Sequence, residues 1–445
     1  MVENRFSVRQ TEQGRFLYVI GSLPTGFHGE MDGDIWRCPL DAANAAAIQK
    51  ELPWAAPERV GLRKSVGCGD RLGIATPGHL RAIREGEMFP VLAQQSIREM
   101  QRAQRSPQQV LDDAMWGIIQ ADYRDGWGCD ADHLKDIESV DACVAAGYLG
   151  YTLDPGAFVD DEANEAMPAE LEQKAIALPW QELQTTYETN AAFHSQRITR
   201  INYLRAAAKY GRALAHVLYL TRRIQSQLQD FDLEISVDET NTVTTLAEHR
   251  YIVEELRRLD IPFTGIAPRF VGEFEKGVDY IGDLKQFETQ YEQHVALAHE
   301  LGGYKLSIHS GSDKFSIYPI VARFDLVHLK TAGTSWVEAL RVIAEAAPDL
   351  FRRILDLAIE GYTTNRASYH VSGEVSNIRR TADLATLIDQ FDAREVLHVS
   401  FGPVLAQFRT EIYQVLYANY EDYLEVLHRH FRRHILPFST ISQSS

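Results

Sequence analysis

The sequence lacks most of the motifs that mark common catalytic and membrane-bound classes. Its four cysteines form no C-x-x-C pair, so zinc-ribbon and dithiol redox spacings are absent. No G-x-S-x-G, P-loop or H-E-x-x-H occurs, which argues against a serine hydrolase, an NTPase and a zincin. No apolar run approaches the roughly 18 residues that cross a bilayer, and the N-terminal stretch is polar. We therefore expect a cytoplasmic protein with reduced thiols and no membrane partner.

Positive charge is also scarce. Lysine and arginine total 45 against 62 aspartates and glutamates, which gives the 445-residue chain a formal charge of −17. Binding to nucleic acid needs clustered lysine and arginine, so we predict no nucleic-acid partner. An anionic small molecule stays compatible, because a local pocket can be basic on an acidic protein. At 45% hydrophobic residues the chain can bury a large core.

What the sequence does contain is an alternation of strand-like and helical segments. Strand candidates are residues 71–75, 89–93, the residues just before Asp132, 148–153, 233–237, 263–267, 305–308 and 325–329. Capping boxes predict helix starts at Ser106, Thr245 and Ser335. Eight strands alternating with helices predict an α/β fold, a decorated (β/α)8 TIM-type barrel over residues 66–345. An open doubly wound sheet is the rival, weakened by the missing G-x-G-x-x-G.

Three regions lie outside this rhythm. Residues 1–65 are predicted to form a small N-terminal appendage, with a strand at 16–20 and a helix at 42–52. Residues 157–230 are predicted to be a helical insertion between the fourth and fifth strands. Residues 346–445 are predicted to be a mostly helical extension packed on the barrel, with strand-like pieces at 368–371 and 396–401.

Ligand-type side chains end two of the most regular strand patterns, Glu239 after residues 231–238 and His309 after residues 304–308. In a parallel barrel all strand C-termini face one mouth, so His133, Glu239 and His309 would meet there. One carboxylate and two imidazoles suit a divalent ion such as Zn²⁺, Mn²⁺, Co²⁺, Ni²⁺ or Fe²⁺. Each residue alone is more often a hydrogen-bonded structural group, but together they predict a metal site. His370 could be a fourth ligand, although packing of the C-terminal extension explains it better.

Small and polar side chains near the same strand ends predict a site for an anionic or hydroxyl-rich group. Residues 331–335 run into a helix N-terminus, where free N–H groups and the helix dipole favour anions. Ordinary loop capping explains such segments equally well. The candidate substrate-binding residues are Gln95, Ser96, Arg98, Ser310, Ser312, Lys314 and Thr334.

Seven uncommon motifs carry a resemblance to a known family. They occupy residues 69–77, 93–99, 130–135, 236–240, 272–277, 307–315 and 330–335. Through them the chain resembles the tagaturonate epimerases, isomerases of hexuronate metabolism that interconvert D-tagaturonate and D-fructuronate. The resemblance spans residues 66–410 and implies a barrel, a small sugar-acid substrate and a divalent metal ion. It places the family's motif residues on His133, Glu239 and His309.

The two hexulosonates differ at the carbon β to the ketone, so enolisation, which exchanges only the α proton, cannot invert that centre. Retro-aldol cleavage between the α and β carbons, rotation of the aldehyde and recondensation is one route, with a metal-stabilised enediolate. Transient oxidation by a bound nicotinamide is the other. We expect Asp132 to point away from His133 if the strand continues past it. The candidates for the general base are Asp132, Asp154, Glu273 and Lys330.

Two other functions fit the same sequence. A class II-type sugar aldolase or ketose 3-epimerase would use the same metal and enediolate chemistry on a different bond. A non-catalytic sugar-acid-binding barrel would keep the pocket alone. An exposed helix near residues 425–430 is compatible with a homo-oligomer, although a solvated helix face explains it as well.

Overall fold

The computed structural model describes residues 5–380 and 383–439. Eight parallel strands, β5 to β12, close into a barrel in which β12 pairs with β5, and four antiparallel strands form a separate sheet in the order β1-β2-β4-β3. The strands are β1 (Phe6–Thr11), β2 (Gly14–Ile20), β3 (Glu30–Asp32), β4 (Ile35–Cys38), β5 (Ser65–Cys68), β6 (Phe89–Ser96), β7 (Gly128–Leu134), β8 (Gly150–Leu153), β9 (Asp232–Ser236), β10 (Gly265–Ala267), β11 (Lys305–Ile308) and β12 (Val327–Thr331). The predicted (β/α)8 barrel is confirmed.

Helices follow most barrel strands and also build the regions outside the barrel. The helices are α1 (Ala42–Glu51), α2 (Thr76–Ile83), α3 (Ile97–Arg102), α4 (Pro107–Ala121), α5 (Ile137–Ala146), α6 (Pro168–Ile176), α7 (Tyr187–His194), α8 (Arg200–Gln225), α9 (Leu246–Arg258), α10 (Leu284–Glu300), α11 (Tyr318–Val321), α12 (Thr334–Ala346), α13 (Pro348–Asn365), α14 (Leu384–Ile388), α15 (Phe391–Val399), α16 (Phe401–Ala418) and α17 (Tyr420–Ile435). Throughout residues 5–380 and 383–439, no helix combines the length and apolar character needed to span a bilayer.

The barrel strands place apolar and polar side chains on opposite faces. Leu233 and Ile235 of β9 are buried in the large hydrophobic core, whereas Glu234 between them hydrogen-bonds Ser307 of β11. Period-2 alternation in a closed sheet sends one set outward under the helices and the other into the interior. The interior is therefore polar, instead of filled by branched apolar residues as in most TIM barrels.

A second hydrophobic core joins the C-terminal helices to α12. Trp336 and Leu340 of α12, Phe351 of α13 and Leu405 of α16 are fully buried in it. This core attaches the C-terminal extension beside the strand ends of the barrel, so the extension can contribute residues to the site. The helical insertion, α6 to α8, lies between β8 and β9.

The predicted first barrel strand, residues 71–75, is wrong. The strand is β5, and residues 71–75 form the turn before α2, in which the Asp70 carboxylate accepts hydrogen bonds from the backbone N–H groups of Leu72, Gly73 and Ala75. Two later strand predictions are also wrong. Ser368 ends a 3₁₀ turn and residues 369–371 follow it as irregular chain, and residues 396–401 lie in α15 and at the start of α16. Short apolar runs fit either period, and only packing decides between them.

Two of the three predicted capping boxes are confirmed. Ser106 and Thr245 each accept a hydrogen bond from the third helical N–H, and the side chain of that residue bonds back to the cap. The box predicted at Ser335 is wrong, because α12 begins at Thr334 with Gly333 as its cap at φ 89°. The Ser335 hydroxyl instead donates to the Gly69 carbonyl oxygen at 2.8 Å.

Candidate active site at the barrel mouth

Two cavities lie at the C-terminal ends of the barrel strands. The larger, about 510 Å³, is lined by loops after β9, β10 and β11 and by residues 367–370 of the C-terminal extension. The smaller, about 270 Å³, is lined by residues of α3 and by the ends of β7 and β8. Arg98 and Glu239 line both cavities, so the two spaces adjoin.

Two imidazoles and one carboxylate meet between these cavities. The rings of His133 and His309 are 4.9 Å apart, centroid to centroid, at 75°. Asp238 Oδ1 lies 3.1 Å from His309 Nδ1. One ligand atom from each of His133, Asp238 and His309 lies within 4.8 Å of the other two. Two nitrogens and one carboxylate oxygen at this spacing fit a divalent ion with positions left open for substrate.

Each imidazole also has a carboxylate on its other nitrogen. His133 Nδ1 is 3.0 Å from Asp154 Oδ2, and His309 Nε2 is 2.7 Å from Glu234 Oε1. Metal-binding histidines commonly donate their second N–H to a carboxylate, which fixes the tautomer and the ring orientation. This pairing leaves His133 Nε2 and His309 Nδ1 as the nitrogens available to a cation.

The backbone of His133 brings two adjacent side chains to the same mouth. His133 has φ 53°, in the left-handed region, and the pairing of β7 with β8 shifts between Ala131 and Leu134. Asp132 Oδ1 consequently lies 3.9 Å from His133 Nε2. The expectation that Asp132 points away from His133 is wrong, because the strand does not continue regularly through this position. Left-handed non-glycine residues cluster at functional sites, where the surrounding structure holds them.

A buried ion cluster lies in the barrel interior beside these imidazoles. Lys330 Nζ is 2.8 Å from Asp130, 2.7 Å from Asp132 and 3.0 Å from Glu234. Burial alone would lower the pKa of Lys330, but the three carboxylates hold it well above its usual value. Burial would likewise raise the pKa of Asp132, and Lys330 lowers it instead. Lys330 is therefore a fixed positive charge and Asp132 a fixed negative one at neutral pH.

His309 carries a positive charge in this arrangement. Burial opposes that charge, but Asp238 and the hydrogen bonds to Asp238 and Glu234 raise the pKa of His309 to about 10. The carboxylates around His309 therefore favour a cation at this position, whether a proton or a metal ion.

Two further cations, Arg98 and Lys276, line the larger cavity. Neither forms an ion pair within residues 5–380 and 383–439, although the chain as a whole is acidic. Lys276 Nζ donates to Ser310 Oγ at 2.7 Å. Burial, and then the charge of Arg98, lower the pKa of Lys276. A bound anion would neutralise both cations, so this wall of the cavity is suited to a carboxylate.

The outer rim of the larger cavity is closed by one contact between two chain segments. His370 Nε2 lies 2.6 Å from Glu273 Oε2, and Arg269 lies 3.5 Å from the same carboxylate. His370 is exposed and Glu273 is partly exposed. We therefore do not assign His370 as a ligand beside His133 and His309. Its contact with Glu273 packs the two segments together across the rim.

Comparison with known proteins finds one family over almost the whole chain. The family model of UxaE, tagaturonate epimerase, matches residues 3–437. The chain is 37% identical to the tagaturonate/fructuronate epimerase of Thermotoga maritima, over 97% of this chain and 93% of that protein. The chain belongs to the tagaturonate epimerase family.

Solved structures from this family have the same fold. The crystal structure of the fructuronate-tagaturonate epimerase UxaE from Cohnella laeviribosi complexed with one glycerol superposes with a TM-score of 0.91, at 34% identity over 97% of this chain and 93% of that chain. The native crystal structure of the same enzyme gives a TM-score of 0.90, at 34% identity over the same shares of the two chains. The likeness covers the appendage, the insertion and the extension as well as the barrel.

In this member of the tagaturonate epimerase family, the three residues predicted as metal ligands do not form one cluster. His133 and His309 come together, but the carboxylate that joins them is Asp238. Glu239, which is more exposed, clusters with His133 and Asp154, where Lys135 Nζ lies 3.0 Å from Asp154 and 3.9 Å from Glu239. An ammonium group thus already balances the second cluster.

The predicted substrate-binding residues divide into two groups. Ser96, Arg98 and Ser310 line one or both cavities. Four others line neither cavity and are buried, namely Gln95, Ser312, Lys314 and Thr334. Lys314 Nζ donates to the backbone oxygens of Glu275, Val278 and Ser312 at 2.5–3.1 Å, so its role is to hold the loop after β10.

The predicted base candidates also lie in different surroundings. Asp132 and Lys330 belong to the interior ion cluster. Asp154 is held by His133 and Lys135; burial would raise the pKa of Asp154, but these partners lower it. Glu273 is at the rim of the larger cavity, beside His370.

Sequence reasoning missed Asp238, Glu234, Asp130 and Lys276. The alternation of side chains along a strand could have found the first two. Glu234 and Ser236 face the interior, and Asp238 continues that alternate set, whereas Glu239 continues the set of the outward Leu233 and Ile235. Lys276 lies in a loop, where no period applies.

A third group of side chains of the kinds that bind metals lies outside the mouth, where it holds two segments of the chain together. Asp313, His430 and His434 are buried together, with His430 Nε2 2.6 Å from Asp313 Oδ1. Both nitrogens of His434 are used by the backbone, since Nε2 accepts the N–H of Asp313 and Nδ1 lies 3.3 Å from the carbonyl of His430. These bonds attach α17 to the loop after β11.

Proposed function

We propose that this chain interconverts D-tagaturonate and D-fructuronate. The observation that carries the proposal is 37% identity, over 97% of the chain, to a relative named as a tagaturonate/fructuronate epimerase. The polar barrel mouth, the two-imidazole cluster and the unpaired cations of the larger cavity support it. A cytoplasmic location is in keeping with four free, buried cysteines.

His133, Asp238 and His309 would hold a divalent ion, with Asp154 and Glu234 orienting the two imidazoles. When bound, such an ion supplies Lewis-acid polarisation of the substrate's ketone oxygen.

Arg98 and Lys276 would bind the substrate's carboxylate in the larger cavity. Guanidinium groups match a carboxylate with two parallel hydrogen bonds, and the Lys276 ammonium adds a point charge that Ser310 orients at 2.7 Å. The carboxylate stays on the aldehyde fragment after retro-aldol cleavage. Binding of this carboxylate would retain the fragment while its aldehyde group rotates.

Glu239 is the carboxylate best placed to act as the general base. It lines both cavities beside the cluster, its side chain is 43% exposed, and Lys135 lies 3.9 Å away. Asp132, Lys330 and Asp154 are held in shorter ion pairs that fix their charge. A base must be free to take up and return a proton, which these three are not.

The retro-aldol route then proceeds as follows in atoms and electrons. Glu239 removes the proton of the β-hydroxyl group, the bond between the α and β carbons breaks, and its electron pair moves through the α carbon to the ketone oxygen as the enediolate. The β carbon becomes an aldehyde carbonyl. The aldehyde rotates to present its other face, the carbon–carbon bond forms again, and Glu239 returns the proton to the new β-hydroxyl group.

The activity is tested by incubating the purified protein with D-tagaturonate and, separately, D-fructuronate, and following both epimers by chromatography. We expect each to form the other. Absence of conversion with any added divalent metal ion would refute the proposed function.

The roles of the two neighbouring carboxylates are tested by matched variants. We expect Asp238→Asn to lose bound metal and activity together. We expect Glu239→Gln to keep its metal, measured by inductively coupled plasma mass spectrometry, and to lose turnover at least about a hundredfold. Metal loss in Glu239→Gln with metal retention in Asp238→Asn would reverse the assignment.

A further inference from the structure

One wall of the larger cavity comes from outside the barrel. After α13 the chain makes a 3₁₀ turn at Arg366–Ser368 and passes along the cavity, which Ala367, Ser368, Tyr369 and His370 line. We call residues 367–373 the strap. The strap is part of the C-terminal extension, so a wall of this cavity does not depend on the barrel strands.

The strap holds Arg98 by two contacts. Arg98 donates from Nη1 to the backbone oxygen of Ser368 at 2.8 Å, and its guanidinium carbon lies 4.7 Å from the centroid of the Tyr369 ring. On the same ring, the guanidinium carbon of Arg102 lies 4.9 Å from the centroid, and Arg102 donates to Ser368 Oγ at 2.9 Å. A guanidinium group over an aromatic face is attracted by the ring's quadrupole, and stacking restricts where the planar group can lie.

The strap is itself anchored by two acidic residues from different parts of the fold. The Ser372 hydroxyl donates to Glu275 at 2.7 Å, and the backbone N–H of Gly373 donates to Glu395 at 2.6 Å. Glu275 lies in the loop after β10 and Glu395 in α15, and both are buried. The Tyr362 hydroxyl donates to the Gly373 carbonyl at 3.0 Å. The strap is thus tied to both the barrel and the extension and can hold Tyr369 in place.

We propose that Tyr369 is a positioning residue that fixes Arg98 for recognition of a carboxylate on the substrate. The inference rests on the proposed function, because it assigns the anion that Arg98 meets. A long arginine side chain without an ion-pair partner would otherwise sample many rotamers, and ordering it would weaken binding. Stacking on Tyr369 supplies that order before the substrate arrives. The ring contributes through its face alone, since the Tyr369 hydroxyl has no hydrogen-bond partner among the residues that the structure describes.

The test compares Tyr369→Ala with Tyr369→Phe. We expect Tyr369→Ala to raise the KM for D-tagaturonate about tenfold, with kcat within about threefold of wild type, because the anchor for a remote carboxylate is loosened. Tyr369→Phe keeps the ring and should behave as wild type. Tyr18→Ala removes an arginine–tyrosine stack of similar length, Arg9 on Tyr18 at 4.9 Å, far from the barrel mouth, and serves as the matched control.

A binding measurement separates carboxylate recognition from general damage. By titration calorimetry we expect Tyr369→Ala to weaken binding of D-mannonate, which is D-fructuronate with its ketone reduced, about tenfold. Binding of D-mannitol, the same chain without the carboxylate, should change less than twofold. Equal losses for both ligands, an unchanged Tyr369→Ala variant, or a wild-type protein that does not favour D-mannonate over D-mannitol would overturn the proposal. Failure of the proposed function would appear instead as no epimerisation by the wild type, while the calorimetry would still decide the role of Tyr369.

Discussion

Replacing Lys330 with methionine removes a cation that three buried carboxylates share. The lysine nitrogen lies 2.7–3.0 Å from Asp130, Asp132 and Glu234, and the side chains are 3–11% exposed. At these distances each pair is worth about 6 kcal/mol of gross attraction at an effective dielectric of about 20. Desolvation offsets most of that attraction, and breaking a buried pair costs about 3–5 kcal/mol. With three carboxylates left together, we expect Lys330→Met to lower the free energy of unfolding by about 5 kcal/mol.

Lys314 provides a matched control. It is equally buried, but its ammonium group donates to three backbone carbonyls instead of carboxylates. Lys314→Met therefore leaves neutral acceptors without partners, at a cost of about 1–3 kcal/mol. Urea unfolding followed by circular dichroism at 25 °C, with and without a chelator, compares the two variants and separates metal loss from ion-pair loss.

The pH dependence gives the sharper result. Lys330 depresses the pKa of Asp132 against the effect of burial, so Asp132 stabilises the wild type above its unfolded pKa of about 4, and this stabilisation is lost as the pH falls through the folded pKa. Without Lys330, burial raises the carboxyl pKa values instead, and the folded variant loses stability as the pH rises. The difference in the free energy of unfolding between wild type and Lys330→Met should therefore widen from pH 5 to pH 8. A difference that is independent of pH, or no larger than the difference between wild type and Lys314→Met, would refute the reasoning.

Two further predictions concern Glu395 and Thr245. Burial, and then the hydrogen bond with Glu275, raise the pKa of Glu395 to about 8, so wild-type stability should fall as the pH rises from about 4.5 to 8, by up to about 1.4 kcal/mol per pH unit. Glu395→Gln should remove that dependence of the melting temperature on pH, and an unchanged slope would contradict the raised pKa of Glu395. Thr245→Ala removes a capping box and should lower the free energy of unfolding by about 1 kcal/mol. The measurement is the urea midpoint, and an unchanged midpoint would show that the cap is not needed.

The barrel could be predicted because its strands and helices repeat two distinct periods. Strands β6 to β12 overlap the predicted segments, most clearly β9, in which apolar outer residues alternate with polar inner ones. The first strand could not be found this way. Ser65–Cys68 is only four residues long and carries a glycine, whereas residues 71–75 alternate by chance and are shaped by the Asp70 carboxylate. A local side-chain bond of this kind overrides periodicity.

The two histidines of the site were predictable because strands supply them. His133 and His309 end strands, and the prediction that they share a mouth agrees with the 4.9 Å between their rings. Choosing Glu239 over Asp238 ignored the parity that Glu234 and Ser236 set. The left-handed backbone of His133 has no counterpart in the residue pattern, because glycine or asparagine, the usual residues there, is absent.

Charge is divided at the mouth between carboxylates near the strand ends and cations farther out. Carboxylates that attract a cation stand on strands, in Asp130 and Glu234, and in the turn after β9, in Asp238, and they would repel an anionic substrate brought among them. The cations that would accept its carboxylate must therefore stand farther out, on α3 and on the loop after β10, as Arg98 and Lys276 do. Strand parity indicates the position of Glu234 and Asp238, although the sequence analysis named neither. The positions of Arg98, which it did name, and of Lys276, which it missed, depend on how loops and the C-terminal strap pack over the barrel, which only the folded structure specifies.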